Sequence, residues 1–157
     1  GYSAHKTANA PVFCESIDFN FIATVRVEPE FAASYDAGTL MVLDDDSHWF
    51  KAAFELTDLG YTSIVSVVTD SVSDDCNSER VAEKAVWLKI IRKGPCWSIH
   101  YSLNGKKWKM VRYFTLKLGK DVRVGVSAQS PVGEGCRVQF SEFSITENNC
   151  TDLRMGE

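Results

Sequence analysis

Trp49, Lys51 and Glu55 fall at alternate positions of one short run, Trp49-Phe-Lys-Ala-Ala-Phe-Glu55. If that run is a strand, Phe50, Ala52 and Phe54 point to one face, and Trp49, Lys51, Ala53 and Glu55 point to the other. The second face then carries an indole, an ammonium and a carboxylate in one row, with about 7 Å between successive residues. Such a row grips a polar, hydroxylated ligand: C–H groups stack on the ring while charged side chains hydrogen-bond the hydroxyls. The competing interpretation is an exposed face with a cross-strand salt bridge under a half-buried tryptophan, a common pattern in antiparallel sheets.

Other residues offer less. Asp44-Asp45-Asp46 could present oxygens to calcium, but the turn has neither a central glycine nor a closing bidentate glutamate, so no metal or cofactor is assigned. Ser73 and Asp74 sit in Ser71-Val-Ser-Asp-Asp-Cys-Asn-Ser-Glu79, which reads as a loop over a sheet and so as a place for binding residues. Asn104-Gly105, between two alternating runs, predicts a two-residue type I′ hairpin. That register sets Tyr101 opposite Trp108, Ile99 opposite Met110 and Trp97 opposite Arg112, while Ser98, His100, Lys109 and Tyr113 face solvent. The aromatic row is core or binding platform, and Arg112 on it needs a partner if buried. Gly125 and Ser127 leave one face of a later strand almost bare, with room for something to lie on it.

The elements that position these groups are strands. Ile17–Glu28 alternates as a single strand with Phe19, Phe21, Ala23, Val25 and Val27 on one face. Residues 38–43, 49–55, 63–70, 86–92, 122–129 and 136–146 follow, and a change of parity near Ser141 predicts a bulge. Residues 1–15, with a lone His5, read as an extended lead-in, and residues 147–157 as a polar tail. Eight to ten short strands with no βαβ rhythm give an all-β fold, a two-sheet antiparallel β-sandwich or jelly roll, as one domain over residues 1–157.

A chain of 157 residues can bury a sizeable core. Its formal net charge of −4 and lack of a basic stripe argue against a nucleic-acid partner. No stretch is apolar enough for a membrane span. Five scattered cysteines, Cys14, Cys76, Cys96, Cys136 and Cys150, fit neither a disulfide framework nor a zinc site, and with no apolar leader a cytoplasmic protein with reduced thiols is expected. Asn149-Cys150-Thr151 matches a glycosylation triplet without the secretory context that would give it meaning.

Taken in order, Asp36-Ala-Gly, Trp49-x-Lys51-x-x-x-Glu55, Ser66-Val-Val-Thr69, Ser73-Asp74, Tyr101-Ser-x-Asn-Gly-x-x-Trp108, Arg112, Val124-Gly, Ser130-Pro-x-Gly-Glu-Gly and Val138-x-Phe140 resemble the regulation-of-enolase and YesU-like family of the concanavalin A-like lectin/glucanase superfamily. The resemblance covers roughly residues 13–146. It implies a jelly roll with a concave sheet face, links to carbohydrate-related settings and to enolase regulation, and a polar set of Trp49, Lys51, Glu55, Asp74, Arg112 and Gln129. An aromatic Asp-Phe-Trp segment expected near the family's N-terminus is absent.

A glycosidase on this fold needs two carboxyl groups flanking the scissile bond. The superfamily's Glu-x-Asp-x-x-Glu strand is missing, and Thr57 stands where Glu55 would need its partner. The expectation is therefore a non-catalytic protein binding a carbohydrate-like or small acidic ligand. The alternatives are a carbohydrate-active hydrolase or lyase using the same cluster, and a regulator acting on a metabolic enzyme.

Overall fold

The structure, a computed structural model, describes residues 11–157; His5 and most of the expected lead-in lie outside them. Eleven strands run in chain order: β1 (Phe13–Ile17), β2 (Phe21–Glu30), β3 (Ala37–Leu43), β4 (His48–Leu56), β5 (Thr62–Asp70), β6 (Val72–Arg80), β7 (Val86–Lys93), β8 (Cys96–Ser102), β9 (Lys109–Thr115), β10 (Val122–Gln129) and β11 (Arg137–Glu147). They form a six-stranded sheet, β1-β10-β3-β4-β5-β6, and a five-stranded sheet, β11-β2-β7-β8-β9. Every pairing is antiparallel. The result is the expected jelly-roll sandwich, and none of its described residues forms a helix long and apolar enough to cross a membrane.

The core lies between the sheets. Phe50 and Phe54 of β4 meet Phe21, Val25, Leu88, Ile90, Trp97 and Ile99 of the five-stranded sheet. Phe50 packs edge-on against Trp97, with ring centroids 4.9 Å apart, and against Phe114 at 5.0 Å. This geometry is preferred by ring quadrupoles. The Trp97-Ile99-Tyr101 row is thus core, and the Trp97 indole donates to the Leu116 carbonyl (2.9 Å). At Gly38 the sheets come so close that a Cβ would collide with Val27 and lie 2.7 Å from Val138 Cγ1, so only glycine fits there.

Four sequence expectations are corrected. Ile17–Glu28 is two strands: β1 joins the six-stranded sheet and β2 the other, and Phe19, between them, is exposed. Alternation reports which face a residue takes but not a change of sheet. The supposed loop at residues 71–79 is β6, paired along β5. Its Ser, Asp and Asn disfavour strands on average, yet they suit a solvated edge, where charge deters pairing with other chains.

The Asn104-Gly105 turn is not a two-residue hairpin. The connection runs from Leu103 to Trp108, and a bulge between Ile99 and His100 sets Tyr101 opposite Lys109, and Ile99 opposite Arg112. Asn104 Oδ1 instead accepts from the amides of Lys106 and Lys107 (both 2.9 Å), a side-chain turn that competes with the I′ geometry. Finally, Ser98 and His100 are buried rather than solvated, because the final polar segment packs over them. The bulge expected near Ser141 is present, with a register shift between Ser141 and Ser144.

Candidate functional site

Residues of the six-stranded sheet that point away from the core form a second face. Registers set Gly125, Met41, Lys51, Val67 and Asp75 in one cross-strand row, and Gln129, Ala37, Glu55 and Ser63 in another. The floor between them is closed to water: Ala37, Thr39 and Ala53 are fully buried, and Ala37, Ala53 and Val65 form a small apolar cluster of their own. Alternation along β4 puts Trp49, half-buried, at one end of this face and Glu55 at the other, with Lys51 between them.

Lys51 lies over this floor with its ammonium donating to Gln129 Oε1 at 2.6 Å. The Gln129 amide lies 3.9 Å from Met41 Sδ. Loss of water around Lys51 lowers its pKa, while the nearby carboxylates of Glu55 and Asp75 oppose that. Glu55 is only 9% exposed. Its carboxyl is pushed up to about 7, chiefly by burial; Lys51 pulls it down, and Asp75 and Asp58 push it further up. The Tyr35 phenol is also raised, first by the charge of Asp58 and by burial, and also by Glu55 and Asp75. Lys51, Glu55, Asp58, Asp75, Tyr35 and Gln129 thus share one electrostatic neighbourhood.

Trp49, Lys51, Glu55 and Gln129 are accordingly brought onto one face; Asp74 and Arg112 are not. Asp74 pairs with Val68, whose side chain packs on the core. Parity therefore turns Asp74 inward at the sandwich edge, where its Oδ2 accepts from Arg112 at 2.7 Å. The pair ties β6 to β9. The neighbour that does face Lys51 is Asp75, one residue on. Reading residues 71–79 as a loop hid this, because parity is defined only on a strand. Tyr35 and Asp58 carried no periodic signal and enter only through the connections before β3 and after β4.

The bare patch expected at Gly125 is not open either, since the space a Cβ would take is occupied by the Phe13 carbonyl and Cys14 of β1. Asp36 is structural. Fully buried, it accepts from the amides of Ala32 and Ala33 (2.8 and 2.9 Å) and from Ser130 Oγ (2.6 Å). Burial alone would raise its pKa, but these donors together outweigh that and hold it below the ordinary value. In the acidic turn, Asp44 accepts from the Gly119 amide and Asp45 from His48; among the described residues no group of His, Cys, Asp or Glu is arranged to hold a metal.

Two hollows lie elsewhere. One, of about 420 Å³, is walled by Pro29, Phe31, Thr62 and Lys84. The other, of about 470 Å³, lies between Lys93, Cys96 and Tyr113 on one side and residues 151–154 on the other. Neither is lined by Trp49, Lys51 or Glu55. The sheet face remains the stronger candidate, because charged groups withdrawn from water mark functional sites more specifically than volume does.

A family model described as "Protein of unknown function (DUF1349)" matches residues 1–148. Regulation of enolase protein 1 of Saccharomyces cerevisiae is 33% identical over 127 residues, which are 80% of this chain and 64% of that one. The chain therefore spans under two thirds of that relative. A functionally unknown protein from Saccharomyces cerevisiae superposes with a TM-score of 0.81 at 31% identity, over 86% of this chain and 73% of that chain. A GH43 protein from Bacillus licheniformis superposes with a TM-score of 0.75 at 16% identity, over 89% of this chain and 30% of that chain. The last likeness is one of fold alone.

Proposed function

This chain belongs to the DUF1349 family, and on that premise we propose that it binds a hydroxylated, sugar-like ligand on the outer face of its six-stranded sheet, without catalysis. Trp49 stacks on the sugar's C–H face. Lys51, with Gln129, donates to its hydroxyls, and Glu55, protonated near neutral pH, both donates and accepts.

The observation that carries this reading is the state of Lys51 and Glu55. Both are taken largely out of water on the side of the sheet away from the core, and Lys51 is hydrogen-bonded to a neutral amide rather than ion-paired with Glu55. A fold gains no stability from withdrawing two ionisable groups in this way; a ligand that hydrogen-bonds both gives the arrangement a use. The buried floor of Thr39, Met41 and Ala53 keeps water from beneath these polar groups, so that hydrogen bonds from Lys51 and Glu55 to a ligand lying over them would form at low local dielectric.

Calorimetric titration with a panel of neutral oligosaccharides and uronates tests the proposal. At least one sugar should bind, and Trp49→Ala and Lys51→Met should each weaken it tenfold or more at unchanged fold. Equal affinity in both variants, or no binding by any sugar, overturns the reading. A product released from any bound sugar and abolished by Glu55→Gln would replace binding with catalysis.

A second reading rests on the yeast relative's name. In that case this chain contacts a metabolic enzyme through its surface. Co-sedimentation with purified enolase should then show a complex, and its absence at micromolar concentrations removes this reading.

A further inference from the structure

We propose that residues 148–157 form a latch over the outer face of the five-stranded sheet, closed at neutral pH and released by protonation of His100. The latch is built by specific contacts. Lys89, on β7, donates its ammonium to the Gly156 carbonyl (2.9 Å), and its Nζ lies 3.9 Å from the centre of the Trp108 ring. His100, on β8, is fully buried, with Nε2 at 2.9 Å from the Leu153 carbonyl and 3.1 Å from Ser98 Oγ. The Cys150 thiol donates to the carbonyls of Asp152 and Glu157 (3.1 and 2.9 Å).

The hydrogen bond to Leu153 fixes the tautomer. Nε2 carries the proton, because only a donor can meet a carbonyl. Nδ1 is then bare, buried and without a partner. What it faces is Gly156, which lies so close that a Cβ there would be 3.1 Å from Nδ1. A second proton on the ring must therefore go to Nδ1, creating a buried charged N–H with no acceptor while the segment stays closed.

The surroundings offer no compensation. From β7 the charged neighbour is Lys89, a like charge; from β8 it is the neutral Ser98; from β9 the register partner of His100 is Met110. From the segment come the Leu153 carbonyl and Gly156, with Cys150 and Glu157 acting on Lys89 rather than on the ring. Burial first, and Lys89 as well, depress the His100 pKa despite the Leu153 carbonyl. A histidine that resists protonation when closed and accepts it when open favours opening as pH falls below its ordinary value. Release uncovers Lys89, Ser98, His100 and Trp108, and removes one wall of the hollow beside Lys93 and Tyr113.

Hydrogen–deuterium exchange of residues 148–157, corrected for intrinsic rates, between about pH 5 and 8 tests the latch. The opening constant should be flat at the alkaline end and then rise by up to about tenfold per pH unit below about 6.5, the limit for one proton. Protection of β4 should not fall as the pH drops over the same range, because protonation of Glu55 on that strand favours the folded state at acid pH. His100→Gln should abolish the dependence.

Gly156→Ala, on the segment itself, should raise exchange there at all pH values with the sandwich intact. Its Cβ would press on the His100 ring, and the Gly156 φ of +76° is a left-handed conformation unfavourable for alanine. Exchange that is independent of pH in the wild type, a dependence that survives His100→Gln, or an unchanged segment in Gly156→Ala overturns the proposal.

Discussion

Replacing Glu55 with glutamine isolates the cost of the site. In the folded protein Glu55 holds its proton up to about pH 7, whereas an ordinary glutamate releases it near 4.5. The folded state is thus helped fully below 4.5, and that contribution is lost as pH rises through 7, the reverse of a salt-bridged carboxylate. At 1.36 kcal/mol per pH unit the gap corresponds to about 3 kcal/mol at most. Water that still reaches the carboxyl, and relaxation of the edge strand bearing Asp75, reduce this to about 1–2 kcal/mol. Glutamine keeps the shape and cannot ionise.

Urea unfolding of wild type and Glu55→Gln at about pH 4.5, 6 and 8 reads the difference directly. Near pH 4.5 the two should match within a few tenths of a kcal/mol, and by pH 8 the variant should be more stable by about 1–2 kcal/mol. A variant less stable at pH 8, or a difference that does not change with pH, refutes the argument that Glu55 is held protonated at the expense of stability. The expected result would place Glu55 among residues retained for function at a stability cost.

Asp36→Ala removes the acceptor of three hydrogen bonds in a fully buried position, and should destabilise by about 2–4 kcal/mol in urea. Because the Asp36 pKa is held low, its contribution in the wild type is present above the ordinary aspartate value and fades as pH falls below it. Arg112→Ala breaks a pair whose aspartate is 71% exposed. It should cost under about 1 kcal/mol by thermal melting and, on the proposed function, leave any sugar affinity unchanged, because the pair lies off the sheet face that carries Lys51 and Glu55.

Much was legible in the chain because alternation is local. Period-two patterning put Phe50 and Phe54 in the core and Trp49, Lys51 and Glu55 together on the opposite face, and the change of parity at Ser141 located a bulge that pairing with β2 contains. What alternation lacks is any record of which strand lies alongside. Sheet exchange between β1 and β2, the strand status of residues 72–80 and the register of β8 on β9 are set by long-range hydrogen bonding.

Reading residues 71–79 as a loop singled out Asp74 and passed over Asp75, the residue in register with the Lys51 row, since a single step along a strand reverses the face. In the same way Ser98 and His100, polar and alternating, read as solvated until residues 148–157 cover them. The sequence by itself determined the β-sandwich and the β4 row, because both follow from side-chain period. Only the tertiary structure decided which charges meet across strands and which polar groups lose their water, because burial belongs to the neighbours a residue acquires on folding and not to the residue.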